Sequence, residues 1–267
     1  MIKRLSLAAI VIAVAACSSN PNEHKPSPLP LLPAKTEQIT LHKKQNWQIG
    51  GGLLEAEVAP QLATQNNTLY AANHRGLVMA IEATQGKQWQ QDTKIAVTGL
   101  QVAYGRVVLS GAKGQLSVLD ANSGQVLWQK TLNAPVLAAA AQTADRVIVQ
   151  ANNGKVYGFD AKTGSMIWVF DVPTASLSLR GYASPLVVDE QVIVAGETGK
   201  IFALEAKTGI AQWESRVANS TGRSELERMV DVDGQMLLDS SHKLYVGSYQ
   251  GQLSALALQD DQKPTLL

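Results

Sequence analysis

The chain has 267 residues, a formal net charge of +1 and 45% hydrophobic side chains. That is enough apolar material for a sizeable core, and the balanced charge gives no global bias toward nucleic acid or an anionic surface. A single cysteine excludes an intramolecular disulfide framework.

In chain order, Lys3 and Arg4 precede the apolar run LAAIVIAVAA, which is too short to span a bilayer and fits the h-region of a secretory signal. The run ends in VAAC at Cys17. In an exported chain a lone cysteine is either a free thiol or a modified anchor. Small residues directly after the h-region match a bacterial lipoprotein signal. The expectation is therefore a signal peptide over 1–16 and a lipidated Cys17 at the head of the mature chain. Ser18, where a retention signal would have aspartate, directs the expectation to the outer membrane on its periplasmic face. Residues 17–36 hold five of the ten prolines and no periodicity, which predicts a semi-extended tether. The folded domain is expected over 37–267.

That domain is repetitive. NNGKVYGFDAKTGSMIW, ending at Trp168, recurs as KGQLSVLDANSGQVLW, ending at Trp128, and TGKIFALEAKTGIAQW, ending at Trp213. A weaker copy, RGLVMAIEATQGKQW, ends at Trp89, and a fifth, QGQLSALALQDD, lacks the second glycine and the tryptophan. In the third copy, APVLAAAAQ (134–142), RVIVQA (146–151), KVYGFDA (155–161) and SMIWVFDV (165–172) read as four antiparallel strands. The NNG hairpin turn puts Gly154 at positive φ. In DAKTG, Asp160 is placed to bond local amides and Gly164 to take a left-handed conformation. Four short strands in about 40 residues are the signature of a propeller blade, and the expected fold is an all-β propeller with about five blades present. Its repeat markers are Gly76 and Trp89; Gly114, Gly124 and Trp128; Gly154, Gly164 and Trp168; and Gly199, Gly209 and Trp213. The tryptophans suit either packing between neighbouring blades or stacking on a cofactor. The second would single out one copy, and nothing does.

Quinone-dependent dehydrogenases share this blade type, so their requirements test an enzymatic reading. They need a calcium ion, a catalytic aspartate and commonly a vicinal cysteine pair. Here no cysteine follows Cys17, and His24, His42, His74 and His242 have no metal-ligand spacing. Asp231 and Asp233 lack the further oxygen ligands of a calcium loop, and no nucleophile elbow, P-loop or dinucleotide fingerprint occurs. The expectation is a binding surface with no catalytic residue, cofactor or metal.

Departures from the period locate that surface. First-turn glycines are spaced 38, 40, 45 and 52 residues apart from Gly76 to Gly251. The excess falls in PTASLSLRG (173–181) and ANSTGRSELERMVDVD (218–233), both running from an outer strand to the next inner strand, hence on one face and on neighbouring blades. Ser224 and Glu227 have capping-box spacing, predicting a helical turn before Asp231 and Asp233. Leu177 and Leu179 share a side beside Arg180. The pattern favours leucines tucked under the loop over the alternative, a mixed hot spot of apolar anchors and arginine with an acidic pair nearby.

Together the VAAC lipobox, the proline tether, the tryptophan-ended blades, SLSLRG (176–181) and SELERMVDVD (224–233) resemble the BamB family, lipoproteins of the outer-membrane β-barrel assembly machinery. The resemblance covers the whole chain, whereas the family's propeller has eight blades and QKPTLL stands where the fifth copy would have its turn, strand and tryptophan, which reads as a shortened product. It implies a non-enzymatic scaffold that binds the periplasmic POTRA domains of BamA, joins other assembly subunits and supports barrel precursors, with no nucleic acid. It maps the partner surface onto Leu177, Leu179, Arg180, Asp231 and Asp233. Rival expectations are a quinone-dependent dehydrogenase and a general periplasmic protein-binding propeller.

Overall fold

Short β-branched runs between tight turns pair with their immediate neighbours, and in a computed structural model of the chain they build five separate four-stranded antiparallel sheets. Residues 45–50, 61–179, 183–249, 252–259 and 262–266 are described. The chain separates into two units, Met1–Asn46 and Trp47–Leu267, and the strands of the described residues all lie in the second. The expected signal peptide, Cys17, the tether, His24 and His42 lie outside the described residues.

The first sheet is β1 (Gln61–Gln65), β2 (Thr68–Ala72), β3 (Leu77–Glu82) and β4 (Gly86–Asp92), in that spatial order. The second is β5 (Val97–Ala103), β6 (Arg106–Gly111), β7 (Gln115–Asp120) and β8 (Val126–Thr131). The third is β9 (Ala141–Gln142), β10 (Arg146–Gln150), β11 (Lys155–Asp160) and β12 (Met166–Asp171). The fourth is β13 (Leu186–Val188), β14 (Gln191–Ala195), β15 (Lys200–Glu205) and β16 (Ala211–Arg216). The fifth is β17 (Leu237–Leu238), β18 (Lys243–Ser248), β19 (Gln252–Gln259) and β20 (Gln262–Leu266). These are the blades of a propeller.

Two expected elements come out differently. The first strand of the third sheet shrinks from 134–142 to Ala141–Gln142, because Pro135 has no N–H and the preceding backbone bonds elsewhere: Val136 N–H to Gly111 O at 3.3 Å, and Pro135 O from Asn152 N–H at 2.8 Å. Conversely, QKPTL, not expected to pair, forms β20, with Leu256 opposite Leu266 and Gln259 opposite Gln262. An outermost strand has one unpaired edge, so Pro264 fits where a central strand would exclude it.

The core lies between consecutive sheets. Middle strands alternate their side chains between two neighbours: Val107 and Leu109 pack toward the first sheet, while Val108 packs toward the third. In the same way Val192 and Val194 face the third sheet, and Ile193 and Ala195 face the fifth. Both faces are buried, which is why these strands read as continuous apolar runs.

Each tryptophan closes an interface. Trp128 Nε1 donates to Ala161 O of the next sheet at 2.9 Å, and its ring lies on Gly164 so closely that a Cβ there would sit 2.7 Å from the indole. Gly164 has φ +68°, so glycine is required twice over, for backbone conformation and for space. The arrangement repeats with Trp89 on Gly124, bonded to Ala121 O at 2.8 Å, and Trp168 on Gly209, bonded to Ala206 O at 3.1 Å. Trp47 rests likewise against Gly86 of the first sheet. Asp160 accepts bonds from Lys162 N–H at 3.1 Å and Thr163 N–H at 2.8 Å, and the Thr163 contacts hold its carboxyl below the usual range.

Candidate functional site

The outer strand of each sheet hands over to the next sheet at one end, where the residue after the strand bonds a hairpin glycine: Val172 N–H to Gly154 O at 2.7 Å, and Val217 N–H to Gly199 O at 2.9 Å. The two long connections, 172–185 and 217–236, leave from these points, against 93–96 between the first two sheets. They share an end and flank the fourth sheet.

The second connection is folded by its own sequence. Ser224 Oγ accepts from Glu227 N–H at 3.2 Å, and Glu227 Oε2 accepts from Ser224 N–H at 3.2 Å and Arg223 N–H at 2.6 Å, the reciprocal capping box that the spacing predicts. Arg228 N–H bonds Ser224 O at 3.2 Å, closing one helical turn. Beyond it Met229, Val230, Val232 and Met236 are buried, with Val232 and Met236 packed between the fourth and fifth sheets. Asp231 lies inside this continuous buried run.

Asp231 is fully buried. Its Oδ2 accepts from Leu179 N–H in the first connection, and its main-chain oxygen accepts from Tyr249 N–H at 2.8 Å. Among the described residues Oδ1 has no hydrogen-bond partner. Burial pushes the carboxyl above its ordinary range; the Leu179 N–H opposes this, and the nearby charges of Glu197 and Asp233 add to it. A second carboxylate holds the same connection four residues earlier: Glu197 Oε2, in the β14–β15 turn, accepts from Ala175 N–H at 3.0 Å. Asp231, Glu197, Asn152 and Gln150 line a small, partly open cavity of about 30 Å³, room for a water molecule.

Held from beneath, the first connection turns its leucines outward. Leu177 is 43% exposed and Leu179 42%, so the reading that tucks them under the loop does not hold. Leu177 also borders an open cleft with Asn133, Asn153 and Ser178. Asp233 is half-buried, and Arg180 lies outside the described residues. Thus the structure joins Leu179 to Asp231 directly and places Leu177 beside them. Glu197 was not legible: the same turn position holds His74, Ala112, Asn152 and Tyr249 in the other sheets, so no spacing marks it. Among the described residues no three His, Cys, Asp or Glu side chains cluster as metal ligands.

A family model described as "Outer membrane protein assembly factor BamB" matches residues 74–265. The outer membrane protein assembly factor BamB of Pseudomonas aeruginosa is 37% identical over 256 residues, covering 95% of this chain and 67% of that protein. The crystal structure of BamB from Moraxella catarrhalis superposes with a TM-score of 0.69 at 30% identity, over 77% of this chain and 63% of that one. A quinohemoprotein alcohol dehydrogenase from Pseudomonas putida gives a TM-score of 0.57 at 16% identity, a likeness of fold alone. The chain spans about two thirds of the length of the BamB proteins it matches.

Proposed function

Because this chain belongs to the BamB family of outer membrane protein assembly factors, we propose that it is a non-enzymatic scaffold whose exposed Leu177–Leu179 loop binds the periplasmic POTRA domains of BamA. The observation that carries this reading is the pair of solvent-facing leucines on a loop braced by two buried or inward-turned carboxylates. Apolar anchors of fixed geometry lose little conformational freedom on docking, which is the character of a hot spot. Arg180 adds the charged contact that the family pattern places beside them, and Asp233 the acidic one. Asp231 serves the surface from below.

The same reading places the protein at the outer membrane, facing the periplasm, anchored through lipid on Cys17 after removal of residues 1–16 and standing off on the 17–36 tether, with 37–267 as the folded domain. Other assembly subunits and unfolded barrel precursors are the further partners, and no cofactor takes part.

Titration of the chain with the BamA periplasmic domains tests the site. Saturable binding is expected, and Arg180→Glu or Leu177→Ala should weaken it roughly thirtyfold, the scale of a hot-spot residue, with circular dichroism unchanged. Variants that bind like the wild type would remove this loop from the interface and favour a general protein-binding propeller using other loops. Calcium- and quinone-dependent dye reduction would revive the dehydrogenase reading.

A further inference from the structure

We infer that Glu197 is a positioning residue of the Leu177–Leu179 loop, and that Asp231 acts on the partner only by holding the same loop; this rests on the function proposed above. Three backbone N–H groups fix the segment. Val172 is tied to Gly154 O at 2.7 Å, Ala175 to the Glu197 carboxylate at 3.0 Å and Leu179 to the Asp231 carboxylate. The acids come from different elements, the β14–β15 turn and the connection into the fifth sheet, so the loop is pinned across two blades at once.

Each pin is a side-chain carboxyl oxygen that accepts a backbone N–H. An N–H bonded to a carboxylate is held about twice as firmly as one bonded to a neutral oxygen. Asp231 and Glu197 share one cavity wall, where burial and then the Glu197 charge push the Asp231 carboxyl up and the Leu179 N–H opposes them. Loop and acids therefore hold each other in place. Beneath the pinned segment Thr174, Glu197, Asp231 and Val232 line the cavity wall. Leu177 is left facing solvent. A buried acid with no exposed surface cannot itself meet a basic partner, whereas one that sets the height of Leu179 changes binding without contact.

Hydrogen exchange at the Ala175 and Leu179 amides, measured on the full chain beside titration with the BamA periplasmic domains, separates these roles. Glu197→Ala should speed exchange at Ala175 at least about tenfold, as expected when a protecting bond is lost, and weaken binding by about tenfold. Glu197→Gln and Asp231→Asn each keep an oxygen acceptor and should stay within roughly threefold of wild-type affinity. Unchanged exchange at Ala175 in Glu197→Ala would overturn the clasp. Faster exchange with unaltered affinity would overturn its role in binding, and loss of binding in Asp231→Asn would make the Asp231 charge a direct contact. Should the wild-type chain fail to bind, the proposed partner falls, and exchange at Ala175 still decides the clasp.

Discussion

The interface between the third and fourth sheets and the one between the fourth and fifth are built from nearly the same strands and finished differently. In the former, Trp168 reaches forward, lies on Gly209 and bonds Ala206 O. In the latter, Trp213 turns back to Gln191 of its own sheet at 3.2 Å. Leu258 stands where the preceding sheets have the alanine whose main-chain oxygen receives the indole. The long connection adds Val232 and Met236 to that interface beside Trp213 and carries Asp231 with them. Repetition supplies rigidity on one side of the fourth sheet. On the other, the insertion that braces the exposed loop packs in beside the regular strands.

The contrast between the two interfaces breaks most readily at the shelf. Gly164→Val puts a branched residue at φ +68° and drives its Cβ into Trp128. Left-handed strain and overpacking together amount to roughly 2–5 kcal/mol. A melting temperature lower by about 10 °C is expected, and an unchanged one would refute the shelf.

Replacing the indoles sharpens the contrast. Trp128→Phe leaves Ala161 O buried without its donor, about 1–3 kcal/mol, or several degrees in melting temperature. Trp213→Phe releases only a side-chain amide that can turn to another partner, and should have less than half that effect. Equal losses would show that both indoles are held alike.

The smallest effect belongs to Asp231. Its pKa is raised in the folded chain, so the ionised carboxylate opposes folding at neutral pH, and that opposition is relieved as pH falls through the folded value toward the unfolded one. Among the described residues Glu197 and Asp233 are the charged groups acting on it. Asp231→Asn removes the charge and keeps an oxygen for Leu179 N–H. Its melting temperature should lie a degree or two above wild type at about pH 7.5, with the gap closing toward about pH 4. A lower melting temperature at both values would mean that the charge itself stabilises the fold.

The regular part of the molecule was legible because it rests on local rules. Gly76, Gly114, Gly124, Gly154, Gly164, Gly199 and Gly209 all have positive φ, and Trp89, Trp128 and Trp168 pack between sheets as their constant offset requires. The capping box of Ser224 and Glu227 is local too. What escaped depends on residues far apart in the chain. Asp231 reads as a surface acid until Met229, Val230 and Val232 are seen to bury the strip that contains it. Leu177 and Leu179 stand exposed only because carboxylates from two later segments hold the backbone beneath them. Glu197 sits in a hairpin turn like any other, and β20 hides behind a proline that its edge position tolerates.

The forward reach of the tryptophans also gives the chain a direction of assembly. Trp47, Trp89, Trp128 and Trp168 each find their glycine in sequence that follows by about one repeat. In a polypeptide delivered amino terminus first, each indole stays uncovered until the next blade arrives, so every blade is completed by its successor. Trp213, bonded back to Gln191, needs no later residue for its hydrogen bond, and at that point the relay stops.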